Sequence, residues 1–397
     1  MISDFLRLIM RESIIIKNLG PIREVELPDI RQMTVLVGKS ATGKSAVMKA
    51  LAMMRYIFKR ENIKQYLKYS NIKRSPIRTV FKNVSKLGTL ISANTEILYS
   101  VEINSNRYTV ECKNKKIIFS GKIEKEDLTF FKGSYISESR SIIPSLLERL
   151  SSRNIKLGFY EEETLNDFEE ATYSTEEYNI SFLQLKLKMK KSANKGKMFY
   201  IVGNDKSEIK IQDSSSGIQN ASPVIAIINY FAGEKFSFKD AFSRSVIYYL
   251  MDSNNLNAFK AVKEINDLRK VIQIHLEEPE LSLDPMSQMG MLEELTKVTF
   301  DNHSADRYYN LIMATHSPYI INYLNVLIER FNHPDSCDTK AKINPEELAV
   351  YKIENGKSES LLVHDNNQYY VDTNWFSEPM NTIYGEYENL LEPYNEE

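Results

Sequence analysis

Apolar and polar positions alternate in two rhythms along this chain. Ser13 to Lys17 (Ser-Ile-Ile-Ile-Lys) is a β-branched run that ends at the turn signal Gly20-Pro21. Met33 to Val37 is a second apolar run, closed by a glycine and followed by a helical pattern over Ser45 to Phe58, so the order is strand, loop, helix. From Ile97 to Ser120 the chain alternates in three stretches, which predicts antiparallel strands. Residues 140–180 read as mostly helical and acidic. Phe182 to Met189 alternates again and is expected to pair with Met198 to Val202 across the polar turn at Lys195-Gly196. Helical character returns over Ala221 to Tyr230 and Lys239 to Lys270. Val271 to Leu276 and Leu311 to Ala314 are apolar strands, ending in acids and in Thr315-His316. Leu348 to Ile353 and Ser360 to Val363 predict a late hairpin about Asn355-Gly356. There is no internal repeat and no sustained heptad, which argues against a long coiled-coil arm.

The sharpest chemistry lies in the first strand–loop–helix unit. Gly38-Lys39-Ser40-Ala41-Thr42-Gly43-Lys44-Ser45 is a complete G-x-x-x-x-G-K-S. A loop that wraps a phosphate must turn its N–H groups inward, and glycines permit the dihedrals this requires. The following helix offers its N-terminus to the anion. Lys44 is placed to reach the β- and γ-phosphates, and the Ser45 hydroxyl to hold Mg²⁺.

The second motif is Val271 to Glu280, a strand that delivers Glu277 and Glu278 to the sheet's C-terminal edge, where ligands of such sheets sit. One acid can serve the magnesium shell and the next can orient and deprotonate the attacking water. Glu277 is assigned to the metal and Glu278 to the base. The run Glu277-Glu278-Pro279-Glu280 and then Leu281 to Pro285 resembles the Walker B and D-loop of ABC-type ATPases, and more closely the OLD-like, SMC-related branch. Ala314-Thr315-His316-Ser317-Pro318 resembles that branch's H-loop, which implies a contact from His316 to the γ-phosphate. Asp213 to Gln219 is similar to the ABC signature, with Ile218 where a second glycine would stand. The resemblance implies that Ser216, Gly217 and Gln219 address a nucleotide bound by another subunit, hence an ATP-sandwich dimer. It covers about Ile14 to Arg60 and Lys197 to Tyr323, and more loosely Leu348 to Ile383. Tyr135 to Arg140 looks like a recurrent segment of these ATPases, in which Arg140 either approaches the nucleotide or pairs with a carboxylate.

The expected fold is therefore α/β: an ABC-ATPase head, with a P-loop mixed sheet, helices and an antiparallel β subdomain, plus helical insertions. The core is assigned to 1–135, 181–235 and 269–397, a helical segment to 136–180 and a helical insertion to 236–268. The insertion follows from the 57 residues between Gln219 and Glu277. Its aromatics (Phe236, Phe238, Phe242, Tyr248, Tyr249 and Phe259) read as core packing, or else as a partner surface.

Composition narrows the task. The chain has 397 residues and a net charge of −2, so no general basic coat points to nucleic acid. A local cluster, Lys186, Lys188, Lys190, Lys191, Lys195 and Lys197, reads as a solvated strand face or as a DNA-backbone contact. Two cysteines, no leader at the N-terminus and no long apolar run fit a cytoplasmic protein off the membrane. No D-x-D pair occurs among the 81 residues after His316, against a Toprim nuclease in cis. The ATPase subunits of the anti-phage systems PARIS and Septu resemble this chain. That resemblance implies an ATP- and Mg²⁺-using sensor or scaffold that forms homo-oligomers, works with a separate effector such as a nuclease, and answers a phage-derived trigger. A DNA-repair or DNA-binding ATPase of SMC-like type is the alternative.

Overall fold

The computed structural model describes residues 10–72, 85–143, 146, 157–192, 196–252, 259–263, 267–301, 307–333, 340–366 and 368–391. Five parallel strands form the heart of an eleven-stranded sheet, in the order β14 (Leu348–Glu354), β3 (Met33–Val37), β13 (Arg307–Thr315), β12 (Arg269–Glu277) and β7 (Thr129–Ile136). Every residue of β3 is buried, as is all of β12 after its first residue. Continuous apolar runs of this kind suit strands covered on both faces. The antiparallel arm runs β6 (Lys116–Ser120), β5 (Asn106–Lys113), β4 (Ile91–Ile103), β1 (Met10–Leu19), β2 (Ile22–Ile30). The short strand β15 (Lys357–Ser360) joins arm to heart by pairing with both β14 and β2. The expectation of a mixed α/β head with an antiparallel β part is met.

Helix α1 (Lys44–Tyr69) lies where heart and arm meet and packs on strands of both. That burial explains why it runs eleven residues past the expected end at Phe58. The polar stretch after Phe58 reads as an exit to solvent, yet Glu61, Asn62 and Gln65 are buried. Asn62 Oδ1 accepts from the Thr129 N–H at 3.0 Å, and Glu61 pairs with Lys64 at 3.1 Å.

The acidic stretch 140–180 is mostly helical among its described residues, as expected, with α2 (Phe159–Ser174) its long helix, and it ends in strand β8 (Glu177–Ile180). Two further expectations are corrected. The helix expected over 239–270 is α4 (Phe238–Asp252), and β12 has already begun at Arg269. The late hairpin turns at Asn355-Gly356 as expected, both with positive φ, but its second strand is Lys357–Ser360, and Leu362–Asp365 is a separate strand, β16.

The aromatic insertion packs into the core: the Phe242 ring lies 4.9 Å from Tyr66 and 5.0 Å from Phe130, both edge-on. The side chains of Tyr248 and Tyr249 lie outside the described residues. The lysine-rich strand β9 (Leu185–Ser192) pairs with β10 (Gly196–Val202) in the expected hairpin, which β8 and β11 (Glu208–Lys210) flank in a four-stranded sheet. Two of its lysines are matched: Lys186 meets Glu177 at 2.7 Å and Lys190 meets Glu208. Lys195 and the side chains of Lys191 and Lys197 lie outside the described residues, as do Cys337 and the N-terminal residues 1–9.

Helix α3 (Ser216–Ala232) packs on α2, while α5 (Pro285–Phe300) and α6 (Pro318–Asn332) pack on each other. After β16 and β17 (Gln368–Val371), helix α7 (Asn374–Leu391) ends the described chain with none of its residues buried. No helix among the described residues is long and apolar enough to cross a membrane.

Candidate functional site

Strand register brings four loops to one edge. Thr315 pairs with Val37, Glu277 with Ala314, and Leu276 with Ile136. The C-terminal ends of β3, β13, β12 and β7 therefore stand side by side, each releasing a chemically loaded segment. These are Gly38–Ser45, Thr315-His316, Glu277-Glu278 and Ser137–Arg140.

The phosphate loop is shaped by exclusion. Gly43, at φ 102°, caps α1, and a Cβ there would stand 2.5 Å from Ile22 Cδ1. A Cβ on Gly38 would stand 2.3 Å from the Ile353 carbonyl oxygen. Neither position admits a side chain, which is why the motif needs glycine at both. Lys39, Ser40 and Ala41 make the exposed rim, with Ala41 at φ 64° and the half-buried Thr42 bonded through its hydroxyl to the Lys39 carbonyl at 2.9 Å. Ser45 is the second residue of α1, in its first turn.

Lys44 is nearly enclosed. Its ammonium donates to the carbonyls of Gly38 at 2.8 Å and Lys39 at 3.0 Å, and stands 3.2 Å from His316 Nδ1. His316 Nε2 lies 3.1 Å from Glu278 Oε1. An ammonium can only donate, so Nδ1 accepts and Nε2–H donates to the carboxylate, which assigns the tautomer. Lys44, His316 and Glu278 thus form one polar chain between phosphate loop and acidic strand end. Glu280 fixes the histidine from behind: its Oε1 accepts from the His316 N–H at 2.7 Å and the Thr315 hydroxyl at 2.8 Å. Ser317 then caps α6, with Pro318 at the first helical position, so the strand must end where His316 is presented.

Burial pushes the Lys44 ammonium down to about 8, against the pull of Glu278 and Glu280. A polyphosphate would favour the charged form and raise that value again. Below about 8 the lysine is already charged; above it, binding must take up a proton. ATP affinity is therefore expected to fall as pH rises through about 8, by up to about tenfold per unit. Calorimetric titrations between pH 7 and 9.5, in buffers of different ionisation enthalpy, check both the fall and the proton uptake.

Glu277 is buried and differently held. Its Oε1 accepts from the Tyr135 hydroxyl at 2.8 Å and lies 3.7 Å from the Lys49 ammonium, and its Oε2 accepts from the Glu138 N–H at 3.3 Å. The two acids therefore have separate partners: Glu277 faces β7 and α1, Glu278 faces His316. Glu138 lies close enough to both that burial and their charges raise its pKa. Tyr135, Glu138, Lys49 and Glu280 were not singled out from the sequence for these contacts. The first two stand in the recurrent run Tyr135–Arg140, whereas Lys49 carries no local signal.

Arg140 is fully buried, and its hydrogen bonds among the described residues go to backbone carbonyls rather than to a carboxylate. Its guanidinium donates to four backbone carbonyls: Asn220 at 3.0 Å, Ser137 at 3.2 Å, Glu277 at 2.6 Å and Glu278 at 2.6 Å.

The signature-like segment stands beside this cluster. Ser216 opens α3 and is exposed, while Gly217 is buried against the D-loop, where a Cβ would meet the Ser282 carbonyl oxygen at 2.6 Å. Gln219 donates its side-chain amide to the carbonyls of Gln212 at 3.0 Å and Ser214 at 2.8 Å, holding its own loop.

A glycine cradle that excludes Cβ atoms, a buried ammonium and hard oxygen donors fit a magnesium–nucleotide pair. Ser45 and Glu277 would supply the protein oxygens near the metal, which would serve such a site by neutralising phosphate charge.

No curated protein matches the sequence. Among solved structures, the SMC head domain from Thermotoga maritima is similar, at 12% identity over 89% of this chain and 99% of that one, with a TM-score of 0.34. A Pyrococcus furiosus Smc head with an extended coiled coil, bound to the C-terminal domain of ScpA, gives 10% identity, 94% and 98% coverage and a TM-score of 0.41. The dimeric ATP-binding cassette MJ0796 bound to ADP and Pi gives 11%, 88%, 98% and 0.31. Residues 33–322 match the family model described as "AAA domain, putative AbiEii toxin, Type IV TA system", a span that takes in the phosphate loop, both acids and His316. With most of its length inside that match, the chain belongs to this family of AAA-domain ATPases.

Proposed function

We propose that this chain hydrolyses ATP with magnesium as an ATP-bridged dimer, and that it serves as the sensor and scaffold subunit of an anti-phage defence system. The observation that carries the catalytic part is the chain Lys44–His316–Glu278, which joins phosphate loop and acid within hydrogen-bond distances. Lys44 neutralises β/γ-phosphate charge, His316 addresses the γ-phosphate, and Glu278 takes the proton of the attacking water. Glu277 and Ser45 serve the magnesium shell. Ser216 and Gly217 of a neighbouring copy would close the site, with Gln219 fastening the loop that presents them. The family description, which names an AbiEii toxin and a toxin–antitoxin system, favours a defence task over DNA repair.

The effector is assigned to a separate protein, and helix α7 supports where it docks. Met380, Ile383, Tyr384, Tyr387, Leu390 and Leu391 are all exposed. At helical spacing they form one apolar stripe, flanked by Glu386 on one side and Glu388 on the other. A continuous exposed stripe marks a protein contact, and its acidic rim calls for a basic partner surface. The test is affinity purification from the native host with and without phage challenge, using the wild type and an Ile383→Glu/Tyr387→Glu variant. A nuclease-type partner held by the wild type, released on challenge and lost from the variant is the expected result. ATP-dependent cleavage or remodelling of DNA by the purified protein alone, with no partner recovered, would put the SMC-like DNA-acting reading in its place.

A further inference from the structure

Glu278 carries a backbone conformation that a glutamate rarely adopts. Its φ is +44°, in the left-handed region, where a β-carbon is crowded. Such a conformation persists only where surrounding bonds over-determine it. The Glu278 N–H donates to the Ala314 carbonyl at 2.8 Å, which fixes one side of the residue to β13. On the other side the Glu278 carbonyl accepts from the Leu281 N–H at 3.1 Å and from Arg140 Nη2 at 2.6 Å. The preceding carbonyl, of Glu277, accepts from Arg140 Nη1 at 2.6 Å. One planar guanidinium therefore holds two consecutive peptide units, and a rigid fork suits that task better than a flexible ammonium.

The same side chain reaches α3. Arg140 Nε donates to the Asn220 carbonyl at 3.0 Å, in the first turns of the helix that Ser216 and Gly217 open. Asn220 adds a bond from its Nδ2 to the Ser216 carbonyl at 2.9 Å. The start of α3 also abuts Ser282 in the D-loop, through Gly217.

We propose that Arg140 is a positioning residue that locks the Glu277-Glu278 peptide units to the start of α3, so that the placement of the signature-like segment sets the placement of the base. This rests on the reading of Glu278 as the base. Any shift of the N-terminus of α3 on meeting a second subunit's nucleotide would move the Asn220 carbonyl, and the guanidinium would pass that shift to Glu278. Arg140 itself touches no reacting atom.

Four variants and one additive test this: Arg140→Ala, Arg140→Lys, Glu278→Gln and the Arg140→Ala/Glu278→Gln double, with free guanidinium. Nucleotide affinity and single-turnover hydrolysis are measured on the full-length protein. Arg140→Ala is expected to bind ATP within about threefold of the wild type and to hydrolyse it at least about 100-fold more slowly. Millimolar guanidinium should restore at least tenfold, and methylammonium should not. Arg140→Lys should fall between Ala and wild type. Because Arg140 acts through Glu278, the double variant should be no slower than Glu278→Gln alone. Four carbonyls lose a donor in Arg140→Ala, so if that protein does not fold, Arg140→Lys and its double with Glu278→Gln carry the same comparison. Multiplying rate losses in the double, unchanged turnover in a folded single variant, or no guanidinium rescue would overturn the proposal. Full turnover by Glu278→Gln would instead overturn the assignment of the base, a result separable from all of these.

Discussion

Glu278→Gln is expected to bind ATP as the wild type does and to hydrolyse it about 10²- to 10⁴-fold more slowly, the range a positioned general base supplies. The amide keeps the shape of the carboxylate and can still meet His316 Nε2, but it cannot take the proton of the attacking water. The neighbouring acid separates two roles. Glu277 is held by Tyr135 and by the Glu138 N–H, away from the histidine, so Glu277→Gln should weaken magnesium-dependent binding before it alters the proton transfer. Lys44→Ala stands at the opposite extreme. If the buried ammonium meets the β/γ-phosphates as proposed, removing it should leave their charge unmatched, at about 2–5 kcal/mol, which is more than about thirtyfold in affinity. Calorimetry for binding and phosphate release for turnover distinguish the three. Normal turnover in Glu278→Gln together with normal magnesium-dependent binding in Glu277→Gln would show that the two acids are assigned the wrong way or have no such roles.

The parts of this site that the sequence discloses are those whose chemistry is local. A phosphate loop needs its glycines, lysine and serine within eight positions, and a strand that ends in two acids carries its function at its own terminus. The residues that hold them are distant and speak a different language. Arg140 is 137 residues from Glu277 and reaches it through carbonyls, which have no side-chain signature. Strand β7, which delivers Arg140, escapes the reading of hydrophobic pattern because Lys132 and Gly133 interrupt its apolar run. In the fold Lys132 is matched by Asp167 of α2 at 2.7 Å, so a charge that reads as a loop is accommodated inside the sheet. The same holds for α1, whose buried polar residues after Phe58 find partners only once β7 is in place. Strand β2 is missed for a simpler reason. Its exposed residues Arg23, Glu24, Glu26 and Pro28 interrupt the apolar positions, and with two of them adjacent the buried Ile22, Val25, Leu27 and Ile30 do not alternate regularly enough to stand out. Where a helix ends or a partner binds is likewise a matter of what covers it. The aromatic residues around Phe242 read first as core packing, and Tyr66 and Phe130 do close over them, whereas the exposed stripe lies on α7 instead.

The assembly is tested by mixing two inactive proteins. Lys44→Ala removes the phosphate contact of a subunit's own site, while Ser216→Arg places a bulky cation at the exposed start of α3, where it would block the neighbour's nucleotide. Neither variant alone can form a closed site: Lys44→Ala lacks the loop cation in both halves of a dimer, and Ser216→Arg lacks an open α3 terminus in both. A mixed dimer has two unlike composite sites. One combines the defective loop with the blocked terminus. The other combines an intact Lys44 from the Ser216→Arg subunit with an intact Ser216 from the Lys44→Ala subunit. Random exchange makes about half of all dimers mixed, each with one of two sites restored, so hydrolysis should recover to about a quarter of the wild-type rate if the sites act independently. Coupling between sites lowers that figure without abolishing it. Differently tagged subunits recovered in one complex establish that exchange has occurred. Recovery then places Ser216 in the neighbour's site, and its absence from a proven mixed dimer shows that each chain closes its own.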